Sequence, residues 1–228
     1  MVKFRRTNIL KYINKYNAKS LLEIGCGSEP LFEFIDDFEK FVVIEPVEKF
    51  TDIASEKARN HKLKNSINII NELFLGKTQS LSDFDFIVCA GLLHEVMDPM
   101  AFVKGLYDVA NKNSIVHINV PNAFSFHRLL GLEAGLIKHV QEKSDFQKRF
   151  QVNSIFSMTE LQELFKSVGF KIVESGFIAF KPFTHLQMQQ LIDKNILTEE
   201  IIDALSNMVK YCPKLGSELY LNVIKEVP

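Results

Sequence analysis

The sequence contains no tryptophan and only three cysteines, Cys26, Cys89 and Cys212, among its 228 residues. The cysteines are far apart, and none forms a CxxC pair or a His/Cys cluster at the spacing of a zinc site. This scarcity excludes a disulfide-dense secreted domain and favours a reducing compartment. We therefore predict a cytoplasmic protein without a bound metal.

Long apolar runs and an excess of one charge are also absent. No uninterrupted apolar stretch reaches the ~20 residues that a membrane-spanning helix needs, and no apolar signal segment follows the basic residues 1–6. The formal net charge is -1, so the whole chain has no general attraction to nucleic acid or to an anionic membrane. We predict neither as a partner.

The sequence does contain a regular alternation of short β-like runs and helical stretches. This alternation predicts βαβ units and therefore an α/β fold with a doubly wound, mainly parallel sheet. Seven strands are predicted at residues 20–24, 41–44, 67–70, 84–90, 114–120, from 170 to at least 173, and 219–224. Helices are predicted at residues 4–16, directly after Gly27, at 50–61 and at 99–110.

The alternation stops after the fifth strand. Residues 122–156 are polar, aromatic and partly helical, and we interpret them as an insertion over the edge of the sheet. Ser157 and Glu160 predict a capping box that opens a helix. Residues 184–211 are predicted to be helical and either to cap a pocket or to form a dimer contact. Together with a first helix at residues 1–17, residues 1–228 are predicted to form a single domain.

The strongest local motif is the run from Glu23 to Gly27, which has the form Glu-x-Gly-x-Gly and ends a buried strand. Glycines at this point allow a tight turn and a close approach of a ligand to the backbone. Glu45 ends the next strand, 20 residues after Gly25, where an acidic side chain can accept hydrogen bonds from both hydroxyls of a ribose. Each feature alone also fits an ordinary turn or a solvated strand end.

The third position of the glycine motif separates two classes of nucleotide ligand. A dinucleotide fold needs glycine there for close helix–strand packing beside a pyrophosphate, and this sequence has Pro30. Glu23 lies two residues before the first glycine, and a carboxylate there suits a cationic ligand better than a pyrophosphate. These residues disfavour a nicotinamide dinucleotide.

At this point the chain resembles the class I S-adenosylmethionine-dependent methyltransferases, especially their small-molecule branch of ubiquinone-type and sugar enzymes. The resemblance rests on Glu23-x-Gly25-x-Gly27, on Glu45, on residues 84–99, and on the helix and turn from Met158 to Phe170. It implies a Rossmann-like sheet of seven strands with an antiparallel last strand. It also implies S-adenosylmethionine as the cofactor and a small molecule as the methyl acceptor.

The resemblance assigns roles to particular residues. The loop Glu23, Gly25, Cys26 and Gly27 is expected to hold the methionine part of the cofactor, and Glu45 the ribose hydroxyls. Pro46 and Leu73 are expected beside the adenine. The backbone at Cys89, Ala90 and Gly91 is expected at the amino-acid end of the cofactor.

Two histidines are candidates for the catalytic base, because an imidazole titrates close to neutral pH. His94 stands beside Glu95, in an order opposite to that of many relatives, so either side chain could face the acceptor. His127 lies after the fifth strand with Asn122 and Arg128, which we predict to bind the acceptor. For all of these residues an ordinary capping or surface role is the alternative.

Three other functions remain open from sequence. An NAD-type oxidoreductase would change nicotinamide absorbance with its substrate. A nucleotide-sugar enzyme of another reaction type would bind uridine or cytidine nucleotides. A non-catalytic cofactor-binding protein would keep the fold and methylate nothing. The acceptor predicted for a methyltransferase is small and polar, such as a sugar, a nucleotide-linked intermediate or a surface-polysaccharide precursor.

Overall fold

The fold is a seven-stranded sheet with helices on both faces, seen in a computed structural model that describes residues 1–76, 81–143 and 153–226. The strands are β1 (Ser20–Ile24), β2 (Lys40–Ile44), β3 (Ile67–Ile70), β4 (Phe86–Ala90), β5 (Ile115–Pro121), β6 (Phe170–Ile178) and β7 (Glu218–Lys225). All seven predicted strands are present. The sequence patterns placed most of their ends within two residues.

The helices surround this sheet in chain order. They are α1 (Val2–Lys15), α2 (Glu48–Asn60), α3 (Pro99–Val109), α4 (Phe126–Glu133), α5 (Met158–Val168), α6 (His185–Asp193) and α7 (Glu199–Asn207). The capping box at Ser157 and Glu160 and the left-handed Gly169 at the end of α5 are both confirmed. Residues 184–211 are helical only in part, as α6, α7 and a short 3₁₀ turn.

The strand order is β3-β2-β1-β4-β5-β7-β6. Strands β1 to β5 pair in parallel, while β7 runs antiparallel to both β5 and β6. The antiparallel last strand is therefore confirmed. Because β7 runs in the opposite sense, its first residue, Glu218, lies at the edge of the sheet where β4 and β5 end.

Two apolar cores pack on opposite faces of the sheet. One contains Leu22, Ile87 and Ile118 under α3 and α5, and the other contains Leu21, Phe86 and Val88 under α1 and α2. The alternation of neighbouring residues such as Leu21 and Leu22 between the two cores follows from the two-residue period of a strand. Both faces are buried, which explains the nearly continuous apolar runs of β2 and β4.

The predicted helix after Gly27 is wrong. The structure has only a 3₁₀ turn at Leu31–Phe34, and Pro30 supplies no side-chain cap to its first turn. Leu31, Phe32 and Ile35 are buried in the core beneath α1, so tertiary packing rather than helical periodicity determines this segment.

The last described part of the insertion contacts the segment that follows β4. The backbone N–H groups of Asn153 and Ser154 donate to the His94 carbonyl oxygen, at 2.8 and 3.1 Å. Residues 144–152 of the predicted insertion lie outside the described residues.

Among the helices that the structure describes, none is both long and apolar enough to span a membrane.

Candidate functional site

The glycine loop turns sharply at the end of β1. Gly25 and Gly27 have φ angles of 77° and 55°, which strain a residue with a side chain. The Gly25 N–H donates to the Ile44 carbonyl at 2.9 Å, and a Cβ on Gly25 would lie 3.2 Å from the Leu92 side chain. A Cβ on Gly27 would meet no atom within 4 Å. The loop is thus packed at Gly25 and open at Gly27.

Glu45 directly follows β2, and its side chain contacts the glycine loop. Its Oε2 accepts hydrogen bonds from the N–H groups of Cys26 (3.1 Å) and Gly27 (3.2 Å), and its Oε1 accepts one from Val47 at 3.0 Å. Glu45 is buried, with only 5% of its surface exposed. The amide of Asn71, directly after β3, donates to the Glu45 carbonyl at 3.0 Å. The segments that follow three adjacent strands therefore converge on Glu45.

Glu23 differs from the carboxylate that the sequence predicts. Its Oε2 accepts a hydrogen bond from the Leu31 N–H at 2.9 Å. Burial, opposed by that hydrogen bond and assisted by the charge of Glu45, raises the pKa of Glu23 to about 8. The group is therefore mainly a neutral carboxylic acid at pH 7.

The residues expected beside an adenine follow the ends of β2 and β3. Pro46 is exposed, as is the Leu73 side chain, whereas the neighbouring Phe74 is buried in the core. Exposed apolar side chains at the ends of β2 and β3 offer contact area to a flat heterocycle.

The end of β4 contributes mainly backbone. Cys89 is fully buried in the core beneath α3, and burial raises the pKa of its thiol to about 12. Ala90 is half-buried, and Gly91 has a φ of 69° with its N–H donated to the Asn119 carbonyl at 3.0 Å. A Cβ on Gly91 would lie 2.5 Å from the Arg5 guanidinium. Glycine is therefore needed here so that α1 can approach β4.

Arg5 forms a two-point ion pair with Glu218. Its Nη2 donates to Oε1 at 2.6 Å and its Nε to Oε2 at 3.1 Å. The amide of Asn119 also donates to Glu218 Oε2, and the Glu218 side chain is only 6% exposed. A buried pair with these additional donors is stabilised by its geometry and is strongly destabilised if one partner is removed.

His94 is buried beside this ion pair. Its Nδ1 has no hydrogen-bond partner among the described residues, and its Nε2 lies 3.6 Å from Glu95 Oε1. Burial and the positive charge of Arg5 lower the pKa of His94 to about 4. The imidazole is consequently neutral at pH 7 and a weak base.

Two of the residues predicted to bind an acceptor have structural partners instead. Asn122 donates its amide to the carbonyls of Lys214 and Gly216 and accepts from the Phe124 N–H. Arg128 donates to the carbonyls of Val140 and Glu142, at 2.7 and 2.6 Å. Both side chains therefore hold the insertion in place, which sequence alone could not distinguish from ligand binding.

His127 lies in the first turn of α4, after β5. It is half-buried near the start of α4, and its Nδ1 has no partner among the described residues. Burial, with the charges of Lys181 and Arg128, lowers its pKa to about 3.

Within residues 1–76, 81–143 and 153–226, no three His, Cys, Asp or Glu side chains are grouped as metal ligands.

Sequence reasoning missed Arg5, Asn119, Lys181 and Glu218. One signal was available: Arg5 lies four residues before Ile9 and seven before Tyr12, both buried, so it shares the apolar face of α1. A charged residue on such a face calls for a partner.

A family model described as a methyltransferase domain matches residues 1–175 of the chain. In sequence, no curated protein matches the chain.

Solved structures resemble the chain in fold. The [4+2]-cyclase SpnF is 15% identical with a TM-score of 0.68, and the match covers 98% of this chain and 82% of SpnF. An S-adenosylmethionine-dependent methyltransferase from Clostridium acetobutylicum is 9% identical with a TM-score of 0.64, over 99% and 92% of the two chains. The N-methyltransferase NodS from Bradyrhizobium japonicum is 12% identical with a TM-score of 0.61, over 98% and 95%. At these identities the resemblance shows the fold alone.

Proposed function

Because the chain belongs to the family of S-adenosylmethionine-dependent methyltransferases, we propose that it methylates an oxygen or a nitrogen of a small polar acceptor. The observation that carries the proposal is the contact between Glu45 and the glycine loop. It brings the carboxylate that we assign to the ribose against the backbone N–H groups of Cys26 and Gly27. These groups lie at the ends of two adjacent strands, where open α/β sheets bind ligands.

The donor set of the site fits the cofactor. A carboxylate has about four lone-pair sites, and backbone N–H groups use three of those on Glu45. A ribose that donates two hydrogen bonds to Glu45 must therefore displace at least one backbone contact. The N–H group released at Cys26 or Gly27 then becomes a donor to the same ligand. The open space above Gly27 admits that approach.

The residues around the site have distinct roles in this proposal. Gly25, Cys26 and Gly27 hold the methionine part, Glu45 holds the ribose, and Pro46 and Leu73 border the adenine. The backbone of Cys89, Ala90 and Gly91 adjoins the amino-acid end. Bound S-adenosylmethionine supplies an electrophilic methyl group on a positively charged sulfur. The chain need only align an acceptor atom with it, since proximity and orientation supply much of the rate.

Proton removal distinguishes the two classes of acceptor. A hydroxyl needs a base, and His94 and His127 are both neutral at pH 7 and therefore able to accept a proton. A neutral amine needs little help. If His94 is the base, His94→Gln should lower kcat by about 100-fold or more, while His139→Gln, at an exposed position, should leave it unchanged. An equal kcat for wild type and His94→Gln would remove His94 from the reaction.

The finer identity of the acceptor rests on the resemblance of the chain to the branch of the family that includes sugar methyltransferases. We favour a sugar, a nucleotide-linked intermediate or a surface-polysaccharide precursor over nucleic acid, since the net charge of the chain is -1. The three cysteines are free, and Cys26 and Cys89 are buried as thiols, which supports a cytoplasmic location.

Two glycine variants test the proposed cofactor site. Gly27→Asn places a side chain in the open space above the loop, and asparagine tolerates a positive φ better than most residues. We expect calorimetric binding of S-adenosylhomocysteine to weaken at least tenfold. Gly135→Asn is the matched control, because Gly135 also has a positive φ of 68° and no neighbouring atom within 4 Å of an added Cβ. Unchanged binding by a folded Gly27→Asn protein would contradict the proposal.

A further inference from the structure

Lys181 carries a positive charge that the described residues do not neutralise directly. It lies three residues beyond the end of β6 and is half-buried. Its ammonium group makes no hydrogen bond or ion pair with any residue of the described ranges, and burial lowers its pKa. Removing an ammonium group from water without a partner costs free energy. A lysine in this position therefore needs a reason.

Glu218 is the carboxylate whose charge acts on Lys181, but other groups already use it. Arg5 binds both of its oxygens, and Asn119 donates to one of them. The positive charge of Arg5 balances the negative charge of Glu218. Lys181 is thus a second cation beside a carboxylate that is already neutralised.

His127 lies on the same side of the site. The charge of Lys181 acts on its imidazole, and its Nδ1 is buried without a partner among the described residues. The rings of Phe126 and Phe180, the residues before His127 and Lys181, lie 5.0 Å apart between centroids. The contact between these two rings brings together the segments that carry His127 and Lys181.

The backbone is strained at Ala179, two residues before Lys181. Ala179 is buried and has a φ of 53°, a left-handed conformation that is unfavourable for an alanine. The Ser217 N–H holds it by donating to the carbonyls of Ile178 (3.1 Å) and Ala179 (2.7 Å). Strain that surrounding contacts maintain is common at ligand sites.

We infer that Lys181 and His127 form a subsite for an oxyanion, a carboxylate or a phosphate, carried by the methyl acceptor. Lys181 Nζ and His127 Nδ1 would both donate to it. The inference rests on the proposed function and narrows its acceptor to an anionic molecule. Three other charged groups lie nearby. Arg128 binds the carbonyls of Val140 and Glu142, the Glu95 side chain is half exposed beside Arg5, and the charges of Lys181 and Glu218 also act on the Met1 ammonium.

The position of Lys181 favours the acceptor over the cofactor as the source of the anion. β6 lies four strand positions from β1 in the sheet, about 19 Å at the usual spacing of strands. The glycine loop follows β1, whereas Lys181 and His127 follow β6 and β5. The carboxylate of the cofactor is the alternative source, and the experiment separates the two.

The test titrates inorganic phosphate, and in a second series acetate, into the protein at constant ionic strength, with and without saturating S-adenosylhomocysteine. Calorimetry and the histidine resonances of His127 provide two readouts. We expect Lys181→Met to weaken binding of phosphate or acetate at least tenfold, and His127→Gln to weaken it less. Lys210→Met, at an exposed position, is the control and should bind like wild type.

Each other outcome overturns the inference in a distinct way. Absence of anion binding, or equal binding by wild type and Lys181→Met, removes the subsite. A tenfold loss of S-adenosylhomocysteine affinity in Lys181→Met assigns the anion to the cofactor instead. Failure of wild type to bind S-adenosylhomocysteine, with anion binding retained, contradicts the proposed function and with it the assignment to a methyl acceptor.

Discussion

The Glu45 carboxylate and the Gly27 backbone are joined by a hydrogen bond of 3.2 Å across the ends of β2 and β1. The same oxygen also accepts from Cys26. The glycine loop is therefore held in shape by the residue that we expect to bind the ribose. Loop geometry and cofactor affinity are linked through one side chain, which makes Glu45 the most informative position to change.

Gly105 provides a test of the packing on one side of the sheet. A Cβ added there would lie 2.9 Å from Gly76 Cα and 3.1 Å from Gly76 N, so two backbones would have to separate. Gly105→Ala should lower the free energy of unfolding by about 1–3 kcal/mol, as overpacking does, although alanine is the better helix former. Urea denaturation measures the change.

Gly131, in α4, is the matched helical glycine. Its added Cβ would meet only Ile137, at 3.9 Å, so Gly131→Ala should raise the free energy of unfolding by about 0.5–1 kcal/mol. Equal effects of the two substitutions would show that Gly105 and Gly76 are not in close contact.

Glu23 predicts a fall in stability with rising pH. Its pKa is raised to about 8 by burial, so between the ordinary value of 4.5 and about 8 the folded state binds more protons than the unfolded state. Its contribution to the free energy of unfolding therefore decreases as pH rises, by at most about 1.4 kcal/mol per pH unit. His94, His117 and His127 have lowered pKa values, so their contribution rises with pH and is still incomplete at their ordinary value of 6.5.

The comparison of wild type with Glu23→Gln therefore isolates Glu23, because the histidine contributions are common to both proteins. Urea denaturation at four values between pH 6.5 and 8 should show that the stability of wild type falls relative to that of Glu23→Gln as pH rises. Glu39→Gln, at an exposed position, should follow wild type. If Glu23→Gln keeps the wild-type slope, Glu23 is not the titrating group.

The Arg5–Glu218 pair predicts strong coupling between the first helix and the last strand. Arg5→Met and Glu218→Gln should each lower the free energy of unfolding by about 2–4 kcal/mol, because the remaining partner is left in a mainly buried position. The double variant should lose less than the sum of the single losses. A double-mutant cycle in urea gives the coupling energy.

The pair Lys3–Asp203 is the exposed counterpart, with side chains 62% and 48% exposed. Its cycle should give no resolvable coupling, because an exposed ion pair gains little over its separate contacts with water. Additive losses at Arg5 and Glu218 would mean that their ion pair contributes nothing beyond the separate side chains.

Local patterns explain why the fold and the glycine loop were predictable. The two-residue alternation and the apolar runs of β2 and β4 encode burial on both faces, and the spacing of Gly25 and Glu45 encodes the meeting of two strand ends. Ser157 and Glu160 are only three residues apart, so their capping box could be identified from sequence directly.

Other features depend on the order of the strands, which local patterns do not contain. Arg5 and Glu218 are 213 residues apart and meet because β7 is antiparallel between β5 and β6. The neutral state of Glu23 and the structural roles of Asn122 and Arg128 depend on burial and on backbone partners supplied by distant segments. The local pattern predicted a helix after Gly27. The segment forms a 3₁₀ turn instead, because tertiary packing outweighs that pattern.

The most direct test of the account is a calorimetric titration of the protein with S-adenosylhomocysteine, with NAD titrated in parallel. We predict micromolar binding of S-adenosylhomocysteine and none of NAD. Glu45→Ala should bind about 10- to 100-fold more weakly, because one hydrogen bond to a charged group contributes about 1.5–3 kcal/mol, while Glu39→Ala should match wild type. A folded protein that ignores S-adenosylhomocysteine, or that binds NAD alone, would contradict the central claim.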